Sequence, residues 1–305
     1  MKRTRTNNIN PLLNPTAILT SDWHIREDTP VCRLDDFWET QWRKIAFISD
    51  LQKKYDCPVW HAGDLFEKPR PSLYLASVTA QFLPDNFWTI YGNHDLPNHS
   101  LELREKSGIH NLYVNDRLHL SAGAHWGQKL GGPENYFMSD IIHNRKVVMF
   151  HTMTYQVKQP WPGCTDPKSA KLLRMYPDYD LIVTGHNHQS FVEEHEGRLL
   201  VNPGAITRQT ADMDNYLYVN KPSVYLWYAE TNTVKRVFIP VEDDVITRDH
   251  IEQVQVRDAR MEAFISKLKN NFEASISFEE NVERMIAENE VKDEVQQLIY
   301  NAIDE

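Results

Sequence analysis

The chain has 305 residues, a length for one large domain or for one domain with an appendage. Its formal net charge is −10, yet residues 1–240 balance at 26 acidic and 26 basic side chains, and the excess falls in the last 65 residues, where 17 acidic face 7 basic. A neutral body with an acidic tail argues against broad electrostatic binding to nucleic acid, though it leaves local basic patches open, and three cysteines (Cys32, Cys57, Cys164) without CxxC spacing argue against a disulfide framework or a zinc–thiolate site.

In chain order, the basic start "MKRTRTNNINPLLNP" has no apolar run behind it and does not read as a signal peptide. No segment approaches the ~18 apolar residues of a membrane span. These points predict a cytoplasmic protein with no membrane partner and an N-terminal arm over 1–16. Short apolar runs of strand length then recur: "TAILTSD", "CPVWHAGD", "NFWTIYGN", "KVVMFHT", "YDLIVTGH" and "RLLVNPG". Helical patterns lie between some of them, over 35–55, over 72–83 with Ser72 as N-cap, and over 166–176. This alternation predicts an α/β layered fold. The stretch 109–140 is less regular and is expected to hold extra strands and a loop. Residues 223–241 read as a β-hairpin with "ETNT" as its turn. The body is therefore drawn at 17–241. Beyond it, 242–305 reads as a linker and two acidic helical segments, the last running 277–303 from a capping box of Ser277 and Glu280.

Several of these strands end in groups that bind metals. Asp22 and His24 follow the first, Asp64 the second, Asn93 the third, His151 the fourth, and His186 and His188 the fifth. Alternate residues of an extended segment point the same way, so each pair two apart is expected to aim at one point. Ligands of open α/β sheets gather beyond the carboxyl ends of the strands. Seven O and N donors without a thiolate suit Mn²⁺, Fe or Zn²⁺.

The series DxH, GD, GNHD, H and GHNH, in this order over roughly 17–210, resembles the calcineurin-like metallophosphoesterase signature. The resemblance implies a two-sheet β-sandwich flanked by helices, with the C-terminal helices as a small appendage. It implies two divalent ions, Mn²⁺ foremost. Asp22, His24, Asp64 and His188 would hold one; Asp64, Asn93, His151 and His186 would hold the other, with Asp64 bridging. Such a pair clamps a phosphate and acidifies a water that attacks phosphorus. His94 would protonate the leaving oxygen as general acid, and Asp95 would orient the His94 ring.

Within that superfamily, "GDLFEKPRPS" and "GHNHQS" are similar to the SbcD-like DNA repair nucleases, which work with an SbcC-like ATPase. The first reading is therefore a DNA exo/endonuclease, with DNA met by Lys68, Arg70, Lys158, Lys168 and Lys171 on loops after ligand-bearing strands. Two departures stand out. Glu67 occupies the position where many such nucleases carry His, and is expected to repel phosphate. Only about 65 residues follow the hairpin, where those nucleases have a cap of about a hundred; they are expected to form a reduced cap or a docking arm for the ATPase. The alternatives are a small-molecule phosphodiesterase or phosphatase and a non-enzymatic scaffold; a homodimer stays open. Asn202 is expected to shape the rim of the site, Arg208 to be a surface residue, and Trp161 a packed or rim aromatic.

Overall fold

The computed structural model describes residues 14–121, 123–128, 144–219, 221–270 and 277–303. Strands β1 (Ala17–Thr20), β2 (Val59–His61), β3 (Phe87–Thr89) and β4 (His119–Leu120) run parallel in one sheet. Helices α1 (Phe37–Tyr55), α2 (Leu73–Phe82) and α3 (Gly108–Val114) lie between them in sequence. The Ser72 cap predicted for α2 forms, and Asp36 caps α1. Asp36 accepts the Glu39 N–H at 3.0 Å before α1, and Ser72 accepts the Leu75 N–H at 3.0 Å before α2.

The second sheet contains β5 (Val147–His151), β6 (Leu181–Gly185), β7 (Phe191–His195) and β8 (Arg198–Asn202), in the order β5-β6-β8-β7. Helix α4 (Ser169–Met175) precedes β6, and a single turn, α5 (Met213–Tyr216), follows β8. The hairpin β9 (Ser223–Tyr228) and β10 (Thr233–Phe238) then returns to the first sheet, pairing antiparallel with β1, to give the order β10-β9-β1-β2-β3-β4.

Side-chain alternation makes three layers from these two sheets. Ala17, Leu19, Trp60 and Ile90 of the first sheet meet Val147, Met149, Leu181 and Val201 of the second in a shared core. On the far face of the first sheet, Ile18 and Val59 pack with Ile45 and Ile48 of α1, Leu75 of α2 and Ile109 of α3. On the far face of the second, Val148, Phe150 and Ile182 pack on Leu172 and Leu173 of α4. Each such fully buried side chain contributes about 1.5–3 kcal/mol before entropy is counted. The arrangement is the α/β layered fold that the pattern predicted, in the helix-flanked, two-sheet form that the resemblance implied.

Several elements differ from that expectation. The hairpin turn is Ala229–Asn232, one residue earlier than "ETNT". β7 was not legible because its sequence, FVEEH, has only two apolar residues, and the strand is held by its ladder to β8. α3 is two turns long, too short for a helical period to show, and is fixed by Ser107 accepting the His110 N–H. The part of 109–140 beyond residue 128 lies outside the described residues.

One buried group beside α1 carries an unusual charge balance. Lys44 is 4% exposed, Arg208 is 4% and Arg33 is 8%. Arg33 pairs in a two-toothed contact with Asp35, at 2.8 and 2.7 Å. Arg208 donates to the carbonyls of Asn215 and Glu242 and lies over the Tyr218 ring. Neither Lys44 nor Arg208 has a carboxylate at ion-pair distance among the described residues. Burial, then the two guanidiniums, push Lys44 down to about 7. Arg208 is thus an interior residue, not the surface one expected.

The chain divides into two compact units between Thr247 and Arg248. The second contains α6 (Asp249–Asn270), α7 (Phe278–Glu288) and α8 (Asp293–Ile303). The Ser277–Glu280 capping box forms. The single helix expected over 277–303 is broken: α7 ends at the Asn289 cap and Glu290 turns left-handed, with φ 46°. The break lets Ile299 of α8 join Val282 and Ile286 of α7, with Met261 and Phe264 of α6, in one small core. No described helix is long and apolar enough to cross a membrane.

Candidate metal centre

Five parallel strands, β1, β2 and β3 of one sheet and β5 and β6 of the other, end at a common edge. There the structure brings together all seven candidate ligands. The ligand atoms of Asp22, His24 and His188 lie within 4.8 Å of one another, and so do those of Asp64, His151 and His186. Asn93 joins the second group, its Oδ1 3.1 Å from His151 Nε2 and 2.8 Å from His186 Nδ1. Asp64 lies between the groups: Oδ2 is 3.3 Å from His151 Nε2 and 3.7 Å from His24 Nε2.

The local backbone differs from the one the spacing implied. β1 stops at Thr20, and Asp22 and His24 are not in extended backbone; their φ angles are 51° and 47°. Asp64 (59°) and His186 (84°) are left-handed as well. Asp22 and His24 converge through this left-handed backbone rather than through continued strand alternation, whereas His186 and His188, also two apart, enter different groups instead of the one point expected. Glycines make room for this. A Cβ on Gly92 would fall inside the Asp64 carboxylate, and one on Gly63 would strike the His151 ring.

The donors fit divalent metal ions by their own chemistry. Asp22 is fully buried; Oδ1 accepts the His186 N–H at 2.9 Å, while Oδ2 has no hydrogen-bond partner. A buried carboxylate oxygen left bare calls for a cation. His24 Nε2 and His188 Nε2 face each other at 3.1 Å, two ring nitrogens placed so that one ion could take both as ligands. His151 donates from Nδ1 to the Ala62 carbonyl at 2.7 Å, which leaves Nε2 to the site. Burial opposes charge on His151, yet the Asp64 carboxylate overrides it and lifts the imidazole to about 9. Asp64 is held correspondingly low against its own burial by His151. His186 is pushed down to about 4 by burial and then by His151, so it is neutral, the form that binds a metal ion.

Around these donors stands a second ring of contacts. Asp95 is 1% exposed, and its carboxylate accepts the N–H groups of Asp64, Leu65, Phe66 and Gly92 at 2.7–3.2 Å. It clamps the turn that carries Asp64. The ring of His94 is oriented by another group, the Glu67 carbonyl, which accepts from Nδ1 at 2.9 Å; the role expected of Asp95 falls to that carbonyl. The His94 N–H donates to Asp64 Oδ1 at 2.8 Å. Asn202 is fully buried rather than on the rim, bracing Thr184, Asn187 and Gln189. Trp161 is 47% exposed, and Lys68, Arg70, Lys158, Lys168 and Lys171 are exposed.

Sequence reasoning missed three neighbours. Arg26 and Gln209 bond each other at 3.2 Å beside His24. Trp126 lies against the His186 ring, 4.8 Å between centroids. Arg26, two positions beyond the DxH pair, could have been suspected; the other two carry no local signal.

Residues 17–221, two thirds of the chain, match the calcineurin-like phosphoesterase superfamily domain. The chain belongs to that superfamily. Among solved structures it is similar to an archaeal phosphodiesterase, at 16% identity with a TM-score of 0.40, over 73% of this chain and 98% of that one. It is similar to TT1561 of Thermus thermophilus at 11% identity and a TM-score of 0.44, over 73% and 98%. A third is vacuolar protein sorting 29 from Cryptosporidium parvum, at 18% identity and a TM-score of 0.35, over 74% and 97%. As a calcineurin-like phosphoesterase the chain has a two-group His/Asp cluster of the kind that holds a metal pair.

Proposed function

We propose that this phosphoesterase hydrolyses phosphodiesters, small-molecule diesters first. The observation that carries the reading is the pair of donor groups meeting at Asp64 with His94 alongside. Two divalent ions bound there supply Lewis-acid polarisation of the phosphoryl oxygens and acidify a water. Asp22, His24 and His188 would hold one ion, Asn93, His151 and His186 the other, with Asp64 shared. His94, its Nδ1 proton committed to the Glu67 carbonyl, keeps Nε2 as the ring atom from which a proton would pass to the departing alkoxide.

The charge around the site favours a diester over a monoester. Cationic side chains beside the ions would help to hold the extra charge of a monoester dianion. Among the described residues, the ion pairs of the seven ligand side chains are with one another and with Glu67. The guanidinium beside the site, Arg26, is engaged by Asp28 and Glu67. Hydrolysis of bis-p-nitrophenyl phosphate and p-nitrophenyl phosphate with Mn²⁺ tests this; preference for the monoester would reject it.

A second reading, a DNA nuclease of the SbcD-like kind with an ATPase partner, is favoured by one observation. Lys68 and Arg70 follow the strand bearing Asp64, and Lys158, Lys168 and Lys171 follow the strand bearing His151, all exposed. On that reading, Mn²⁺-dependent cleavage of duplex or single-stranded DNA falls steeply between about 50 and 200 mM salt. No cleavage of either DNA leaves the small-diester reading alone.

A further inference from the structure

The two donor groups are braced differently, and the difference centres on Glu67. His151 is fixed by a backbone carbonyl, which no side-chain substitution removes. His24 has no such support. Its Nδ1 is buried and makes no regular hydrogen bond; the group beside it is Glu67 Oε2, at 3.0 Å but off the ideal line. Glu67 Oε1 lies 3.3 Å from Arg26 Nη1. Arg26 donates to Gln209 Oε1 at 3.2 Å, and Gln209 donates back to the His24 carbonyl at 3.1 Å. The contacts close a ring: His24 imidazole, Glu67, Arg26, Gln209, His24 backbone. Both carboxylate oxygens of Glu67 are therefore engaged in this ring rather than presented to substrate, which replaces the phosphate-repelling role expected from the sequence.

We infer that Glu67 is a positioning residue for His24, setting Nε2 toward the ion shared with Asp22 and His188 and so making one of the two ion sites depend on a side chain that the other does not use. This rests on the two-ion reading above. The physics is that of a carboxylate behind a metal-binding imidazole: it fixes the tautomer, makes the ligand nitrogen more basic, and its removal typically lowers metal affinity about 10–100-fold. A small rotation of the half-buried Glu67 side chain straightens the 3.0 Å approach into a hydrogen bond once His24 commits its Nε2. The His94 contact uses the Glu67 backbone oxygen, so a side-chain substitution leaves that contact in place.

The test is calorimetric titration of the metal-stripped full chain with Mn²⁺, for the wild type, Glu67→Ala, Glu67→Gln and Arg26→Met, with circular dichroism and Tm as fold controls. Two binding events are expected in the wild type. Glu67→Ala should weaken one of them about 10–100-fold and leave the other within about 2-fold. Glu67→Gln, whose amide oxygen still accepts the Nδ1 proton, should lose less, and Arg26→Met should weaken the same event less again. Equal weakening of both events, or of neither, overturns the inference. If Glu67→Ala does not fold, Glu67→Gln decides by the same criterion. A wild type that binds fewer than two ions rejects the two-ion reading instead, so the two failures are distinguishable.

Discussion

The metal edge and the cationic group beside α1 both bury charge, but they arrange it in opposite ways. At the edge, metal-binding atoms crowd together: Asp22 Oδ2 is bare, His24 and His188 present nitrogens to each other, and Asp64 lies between two imidazoles. Beside α1, cations crowd one another, and among the described residues only Arg33 of the three has a carboxylate at ion-pair distance. A cluster of potential ligands is satisfied by binding a cation from solution. A surplus of ammonium and guanidinium is relieved from within, by Lys44 giving up its proton. One region is organised to take up a ligand, the other to balance itself.

The strongest challenge to this contrast is at Asp64. Asp64→Asn should lose both ions, read by metal analysis, and reduce turnover to background; retention of two ions would mean that the carboxylate is not shared. His94→Ala sharpens the account by separating chemistry from binding. Metal content should stay at two while kcat falls about 10²–10⁴-fold. Undiminished turnover would remove His94 from the mechanism.

The next effect is one of pH. In the metal-free chain His151 holds its proton up to about 9 because Asp64 is beside it. Metal must displace that proton, so apparent affinity should rise about tenfold per pH unit below 9 and level off above it. Titrations near pH 7 in buffers of different ionisation heat should show the released proton; heats independent of buffer would contradict it.

The smallest effect belongs to the other region. Lys44 is depressed in the folded chain relative to the unfolded one, so the unfolded state binds the extra proton between about 7 and 10.5. Stability therefore rises with pH through that window, and below 7 the penalty of burying the charge is felt in full. Lys44→Met should stabilise by about 1–3 kcal/mol below pH 7 and flatten the upper slope, read by urea unfolding. Unaltered pH dependence would place the titration elsewhere.

The contrast also explains what the sequence disclosed. The metal edge was legible because each ligand follows an apolar strand within a short motif, and chain order carried the rest. The layered fold was legible for the same reason: Val, Ile and Leu runs mark β1, β5 and β6 directly. The cationic group was not, since Arg33, Lys44 and Arg208 meet only through tertiary packing of a loop, a helix and a distant turn. Arg208 by itself looks like any surface residue. Glu67 was visible as a departure, but its role was not, because Gln209 and Arg26 are 183 positions apart and only the fold closes their ring. The Asn289–Glu290 break was missed because its flanking residues keep a helical apolar rhythm across it.

Four of the seven candidate ligands, Asp22, His24, Asp64 and His186, occupy left-handed backbone, a conformation that costs an ordinary residue about 1–2 kcal/mol. Glycine would relax every one of them. A library randomised at these positions and screened only for soluble expression should therefore drift toward glycine and asparagine, whereas the same library screened for catalysis should return the original residues. At these four sites, selection for folding and selection for activity pull apart.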